Sequence, residues 1–261
     1  MPNRKGMQGD DHVKAIRSKF AKLSTAFAAG AVLLASSALA ADPQGRVYEV
    51  TITNATLGQP VAPSVIATHT GSFRLFDLGP APMPGDDAYD YYFALAAMAE
   101  TGFPFHVLDE VAASDGVWDA VALPFAGRMP PVLFPGESNS TTISASGNAK
   151  YLSAVAMLGA TNDAVYAVHG MPLPRGVGET AQAWANAYDI GSEANAESPD
   201  TVGALGASDD DPGTGQGINE GGEGYIHVHA GIHGAGGPDG LDPATFDWRN
   251  PVVQVTVERV R

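Results

Sequence analysis

Polar and apolar residues alternate with a period of two at two places far apart in the chain. From residue 47 onward Tyr48, Val50 and Ile52 fall on one side and Glu49, Thr51 and Thr53 on the other. Near the other end Val253, Val255 and Val257 share one face while Gln254, Thr256 and Glu258 share the other. Side chains of a strand point alternately to its two faces, so each segment predicts a strand with one buried and one wet side. The first and last strands are expected to pair or lie close.

Between them the pattern changes. Residues 86–100 are rich in Ala, Tyr and Leu and stop at Gly102, as a short helix with a glycine C-cap does. Residues 151–158 form a nearly unbroken apolar run and 164–168 another. Such runs predict core strands buried on both faces, joined here through the turn Thr161-Asn162-Asp163. Residues 197–224 are dominated by Asp, Gly, Ser and Pro and predict a long loop, because apolar strand sequence resumes at Tyr225. Many short strands with frequent Gly and Pro give an all-β fold, an antiparallel β-sandwich or barrel-like domain with one or two short helical insertions and long acidic, glycine-rich loops.

The first forty residues are set apart by composition. Lys14, Arg17, Lys19 and Lys22 precede an apolar run over 26–39 that ends in Ala38-Leu39-Ala40. They predict a secretory signal peptide over 1–40 and a single domain over 41–261, secreted or periplasmic. The apolar run is too short and too rich in alanine for a permanent span of about 20 residues, so no stable membrane span is expected after cleavage.

The chain carries 14 Lys and Arg against 29 Asp and Glu, a net charge of −15. The expected signal holds six of the bases and two of the acids, which leaves the remainder at −19. Such a charge repels nucleic acid and anionic lipid and keeps an exported protein soluble. With no cysteine, disulfides, thiolate metal sites and a cysteine nucleophile are all excluded. The triplets Asn54-Ala55-Thr56 and Asn139-Ser140-Thr141 fit the glycosylation pattern.

Two constellations carry candidate chemistry. The turn Thr161-Asn162-Asp163 and the later Tyr188-Asp189-Ile190-Gly191-Ser192-Glu193 place acidic oxygen donors in glycine-containing turns, and hard oxygens suit calcium. The alternative is that Asp163 caps a turn while Asp189 and Glu193 are surface charges. The second constellation is Tyr225-Ile226-His227-Val228-His229-Ala230-Gly231-Ile232-His233-Gly234. On a strand His227 and His229 share a side, a spacing that zinc and copper sites use, with His233 and His69 as further candidate ligands. The bland reading is a solvated sheet face.

The order of several segments resembles the spondin domain family, the domain type found in F-spondin and mindin and in exported bacterial proteins. The resemblance rests on Tyr48-Glu49-Val50-Thr51-Ile52-Thr53, Pro63-Ser64-Val65-Ile66-Ala67-Thr68-His69, Ala99-Glu100-Thr101-Gly102, Ala156-Met157-Leu158, Thr161-Asn162-Asp163-Ala164-Val165 and Ala187-Tyr188-Asp189-Ile190-Gly191-Ser192-Glu193. It implies a C2-like sandwich with calcium held in loops at one end by Asp163, Asp189 and Glu193. It also implies an adhesion or recognition role toward an extracellular or periplasmic protein or glycan. The crosslinking cysteines of the animal domains are absent, and fold alone does not transfer their partners.

No nucleophile elbow, zincin helix or phosphate loop is present, and Gly213-Thr214-Gly215-Gln216-Gly217 lacks the strand and helix that would make it one. Ser72, Ser114 and Ser192 are candidate nucleophiles only if a histidine stands beside them. The enzymatic alternative is a zinc or copper ion on His227, His229 and His233 with Glu223 as general base.

Overall fold

A computed structural model describes residues 45–124, 131–207 and 221–261. The expected signal segment and the Gly213–Gly217 run lie outside the described residues, as does 208–220 of the acidic loop. The alternating first segment forms β1 (Arg46–Asn54) and the last forms β10 (Val253–Arg259). They pair antiparallel, with Val50 opposite Val257 and Ile52 opposite Val255. All six of their expected inward residues are fully buried.

The remaining strands are β2 (Val65–His69), β3 (Gly79–Pro80), β4 (Val117–Ala122), β5 (Ser138–Ala145), β6 (Tyr151–Met157), β7 (Ala164–Pro172), β8 (Thr180–Asp189) and β9 (Tyr225–Val228). They form one antiparallel sheet in the order β4-β2-β6-β7-β8-β10-β1-β5, with β9 added beside β8 and β3 beside β9. The expected all-β class holds, but the sheet is barrel-like rather than two clearly separate layers. Its end strands β4 and β5 meet through Asp119, which accepts from Ser144 N at 2.8 Å and Ser144 Oγ at 2.6 Å, and Thr68 Oγ1 on the adjoining β2 donates to Ser144 O at 2.6 Å. A twisted sheet that curls until its edges meet leaves fewer unpaired edges than an open one.

Two helices, α1 (Tyr89–Thr101) and α2 (Phe105–Ala113), lie against one part of the outer surface. Gly102 caps α1 in the left-handed conformation at φ 76° and donates to Met98 O. Leu95, Met98, Val107 and Val111 form a second core with Val65, Val155 and Val165. Ala154, Ala156 and Tyr166 instead face the core inside the sheet, with Tyr48, Leu152 and Phe246. β6 and β7 are thus buried on both sides, which is why their sequences are apolar throughout while those of β1 and β10 alternate. A last helical turn, α3 (Pro243–Phe246), is capped by Asp242, whose side chain accepts from Ala244 N.

Asn54 is fully buried, and its Nδ2 donates to Gln59 O and Leu133 O at 2.7 and 2.9 Å. The first glycosylation triplet is therefore a structural turn in the folded protein. On the wet face Glu49 stands directly across from Glu258. Like charges in that position repel, so Glu258→Lys is expected to stabilise the protein by about 0.5 kcal/mol at low salt. Urea unfolding of the variant in low and high salt checks this.

Candidate metal centre

The acidic turns sit where β7 begins and β8 ends, because Ala164 pairs with Asp189 across the two strands. Thr161 fixes the first corner: its Oγ1 donates to Leu158 O at 2.6 Å and accepts from Ala164 N at 3.1 Å. Asp163 is fully buried. Its Oδ2 accepts from Ser192 N at 2.7 Å, Glu193 N at 3.0 Å and Ser192 Oγ at 3.2 Å. Its Oδ1 is buried with no hydrogen-bond partner. Asp163 thus does bind a turn, as the alternative reading held, but with one oxygen only.

Asp189 is 1% exposed and folds its own turn, Oδ1 accepting from Gly191 N at 2.8 Å. Gly191 has φ 72°, and a Cβ there would lie 2.6 Å from Tyr225 N. A Cβ on Gly222 would lie 2.3 Å from the carbonyl carbon of Ser192. The two backbones therefore pass at a separation only glycine allows, held by Gly224 N donating to Gly191 O at 2.9 Å. This close passage brings Glu223 to the buried pair. Asn195 Nδ2 links the two sides, donating to Asp189 Oδ2 at 2.6 Å and to Glu223 Oε1 at 3.2 Å.

Asp163, Asp189 and Glu223 each offer a carboxylate oxygen within 4.8 Å of the others. An ion with oxygens at about 2.4 Å accommodates ligand pairs up to about 5 Å apart across itself. The group fits a hard divalent cation on a second ground, since the donor-free Asp163 Oδ1 is a costly arrangement unless something positive faces it. Two acids lie inside and Glu223 on the exposed rim, so solvent can reach the site from one side. Burial raises Asp163 to about 7, helped by the charges of Asp189 and Glu223 and opposed by the Glu193 and Ser192 amides. Burial likewise raises Asp189, against the Asn195 hydrogen bond.

Two of the three acids named from sequence are therefore brought together, and Glu223 completes the group. Glu193 is buried too, but its Oε2 accepts from Asn162 Nδ2 at 3.2 Å, and it is not among the three converging acids. Asn162 also donates to Thr201 Oγ1 at 2.8 Å and accepts from Glu197 N at 3.0 Å, so this layer braces the turns from behind. Glu197, read from sequence only as loop, is 3% exposed and accepts from His233 N and Ala235 N at 2.7 Å each. Neither Asn195 nor Glu197 carries a local signal of its role, since each partner is a loop residue fixed only by the fold. The Gly221-Gly222-Glu223-Gly224 run is different: its glycines mark a close backbone approach.

The histidines do not form a comparable cluster. Among the described residues the converging group contains no histidine. His229 is buried, with Nδ1 accepting from Gly231 N at 3.0 Å. Nδ1 is then the unprotonated nitrogen, and the proton of the neutral ring sits on Nε2, 4.0 Å from Asp189 Oδ2. That nitrogen offers a hydrogen rather than a lone pair, so it does not suit a zinc or copper ion there. Burial, with the neighbouring charges of His227 and His233, depresses His229 to about 4 and keeps it neutral. His227 Nδ1 is buried without a partner, whereas the His233 side chain is exposed. His69 is separate: Nε2 meets Ser153 Oγ at 2.8 Å and Nδ1 meets Thr70 O at 2.6 Å.

Among the described residues Ser153 and His69 are the serine and histidine that do pair, and both are 1% exposed, which leaves no access for a substrate. Ser72 Oγ bonds to Thr70 Oγ1 at 2.7 Å, Ser114 Oγ to Glu110 O at 2.8 Å and Ser192 Oγ to Asp163. None of these three is bonded to a histidine among the described residues. The fold and site together define a β-rich protein with an acidic cluster able to hold a metal ion. No family model matches the chain, and no curated protein matches it. Among the described residues no helix is long and apolar enough to cross a membrane.

Proposed function

We propose that this chain is an exported calcium-binding module of the spondin type, a C2-like β-domain that works by binding an extracellular or periplasmic protein or glycan. The observation that carries the reading is the convergence of Asp163, Asp189 and Glu223, two of them buried, within 4.8 Å. All-oxygen donors select a hard cation, and calcium tolerates a site completed by backbone carbonyls and water. Two features favour binding over turnover: among the described residues no serine–histidine pair reaches the surface, and the acids are braced by amides.

A zinc or copper site on the histidine strand is the second reading. It is favoured by the partnerless His227 Nδ1 and opposed by the proton placement on His229. Elemental analysis of protein purified without chelator, followed by calcium titration calorimetry, separates the two. One calcium per chain is expected, with affinity lost in Asp189→Ala and lowered roughly 10- to 100-fold in Glu223→Gln. Zinc or copper in its place, lost on His227→Ala, would overturn the calcium reading.

A further inference from the structure

We propose that the outward face of β8, β10, β1 and β5 is a binding platform for a neutral polysaccharide, because in-register rows of hydroxyl and amide side chains there extend from a half-exposed indole at one end. The register fixes the rows. Trp184 on β8 stands opposite Gln254 on β10, which stands opposite Thr53 on β1. Thr53 and Ser138 pair hydroxyl to hydroxyl at 2.9 Å, and Thr51 and Ser140 do the same in the next row at 2.8 Å. Gln182 heads that second row, two residues from Trp184 on the same face.

Strands lie about 4.8 Å apart, so four of them spread these groups over roughly 14 Å, the scale of a few sugar rings. Trp184 keeps 56% of its surface in water on a strand whose inward residues Ala185 and Ala187 are buried. An indole presents a rigid apolar plane to stack on, and Gln254 beside it and the hydroxyls farther along the rows supply donors and acceptors.

Charge decides the class of partner. The chain is strongly acidic, at −15, yet these two rows carry no charged side chain, and the acids begin only in the third row, where Glu49 faces Glu258. Nucleic acid and other polyanions find no cation in these rows and meet two carboxylates at the border. A protein partner needs an apolar centre, and one indole among hydroxyls does not supply it. An uncharged polyhydroxyl chain matches both the donors and the stacking plane. The platform lies on a different face from the cation cluster and does not rest on its occupancy.

The test is retention of the purified protein on crystalline cellulose, on chitin and on granular starch, in EDTA and again in calcium. Retention on at least one is expected under both conditions. Trp184→Ala should weaken it roughly tenfold or more, and Gln182→Ala less, with melting curves unchanged because both side chains are exposed. No retention on any of the three, or equal retention of the Trp184→Ala variant, overturns the platform. So does retention abolished by EDTA, which would move the contact to the acidic cluster.

Discussion

In the absence of divalent cation the parent protein is expected to lose stability relative to Asp163→Asn as pH rises from 4 to 8, by on the order of 4 kcal/mol; the comparison cancels the opposite slope of buried His229, whose value lowered to about 4 favours the folded state as pH rises. The cause is Asp163, whose ordinary value of 3.8 is raised to about 7 in the folded, cation-free protein by burial first and then by Asp189. Between those two values the folded state holds a proton that the unfolded state has released. This contribution then falls with increasing pH, the reverse of a salt-bridged carboxylate. Asp189, raised for the same reason, adds to the slope with the same sign, and the proton belongs to the pair rather than to either group.

A bound divalent ion replaces that proton, so saturating calcium should remove this loss and restore most of the lost stability at pH 8. Affinity should correspondingly weaken below pH 7, as protons and cation compete. Asp163→Asn provides the control. An amide oxygen can still accept from the Ser192 and Glu193 amides, while the charge is gone. This variant should melt higher than the cation-free parent at pH 8, lack the carboxyl's falling contribution and gain nothing from calcium. Thermal melts across this range, with EDTA and with calcium, read all of these outcomes. A stability difference between the cation-free parent and Asp163→Asn that is constant from pH 4 to 8 would mean that buried Asp163 does not hold a proton in the folded state.

How much of this was legible in the sequence depends on whether the information was local. The pairing of β1 with β10 was, since each strand carries its own alternation and their inward valines and isoleucine meet in register. The end of α1 was too, because Gly102 is the residue a left-handed cap demands. The acidic turns were visible as turns, and Asp163 and Asp189 as donors, but the third member of the group, Glu223, was read only as a general base beside the histidines. Glu193 lies four residues from Asp189 and points to Asn162, whereas Glu223 lies thirty-four residues away and arrives because β9 pairs beside β8. The sheet's closure was equally hidden. It depends on Asp119 reaching Ser144 across a seam where neither strand carries a marked pattern. The strand β8 shows why a partly wet surface misleads: its alanines face inward and could belong to any half-buried segment.

The glycine of the second acidic turn gives the other large expected effect. Gly191→Ala should destabilise the protein by roughly 3 kcal/mol or more and abolish calcium binding together with it. The left-handed backbone at φ 72° accounts for about 1–2 kcal/mol of that for any residue with a Cβ. The remainder comes from overlap, since the new carbon would sit 2.6 Å from Tyr225 N and 2.7 Å from Tyr225 O. Backbone cannot rotate aside as a side chain does, so β9 must shift, and Glu223 moves with it away from Asp163 and Asp189. Gly178 separates the two contributions, because it has φ 80° and a Cβ there would meet nothing within 4 Å. Gly178→Ala should therefore cost only the backbone contribution, about 1 kcal/mol, and leave calcium affinity intact. Urea unfolding gives the stabilities and titration calorimetry the affinities. Equal losses in the two variants would mean that the backbone passage at Gly191 is slack, and that Glu223 is held by its hydrogen bond to Asn195 instead.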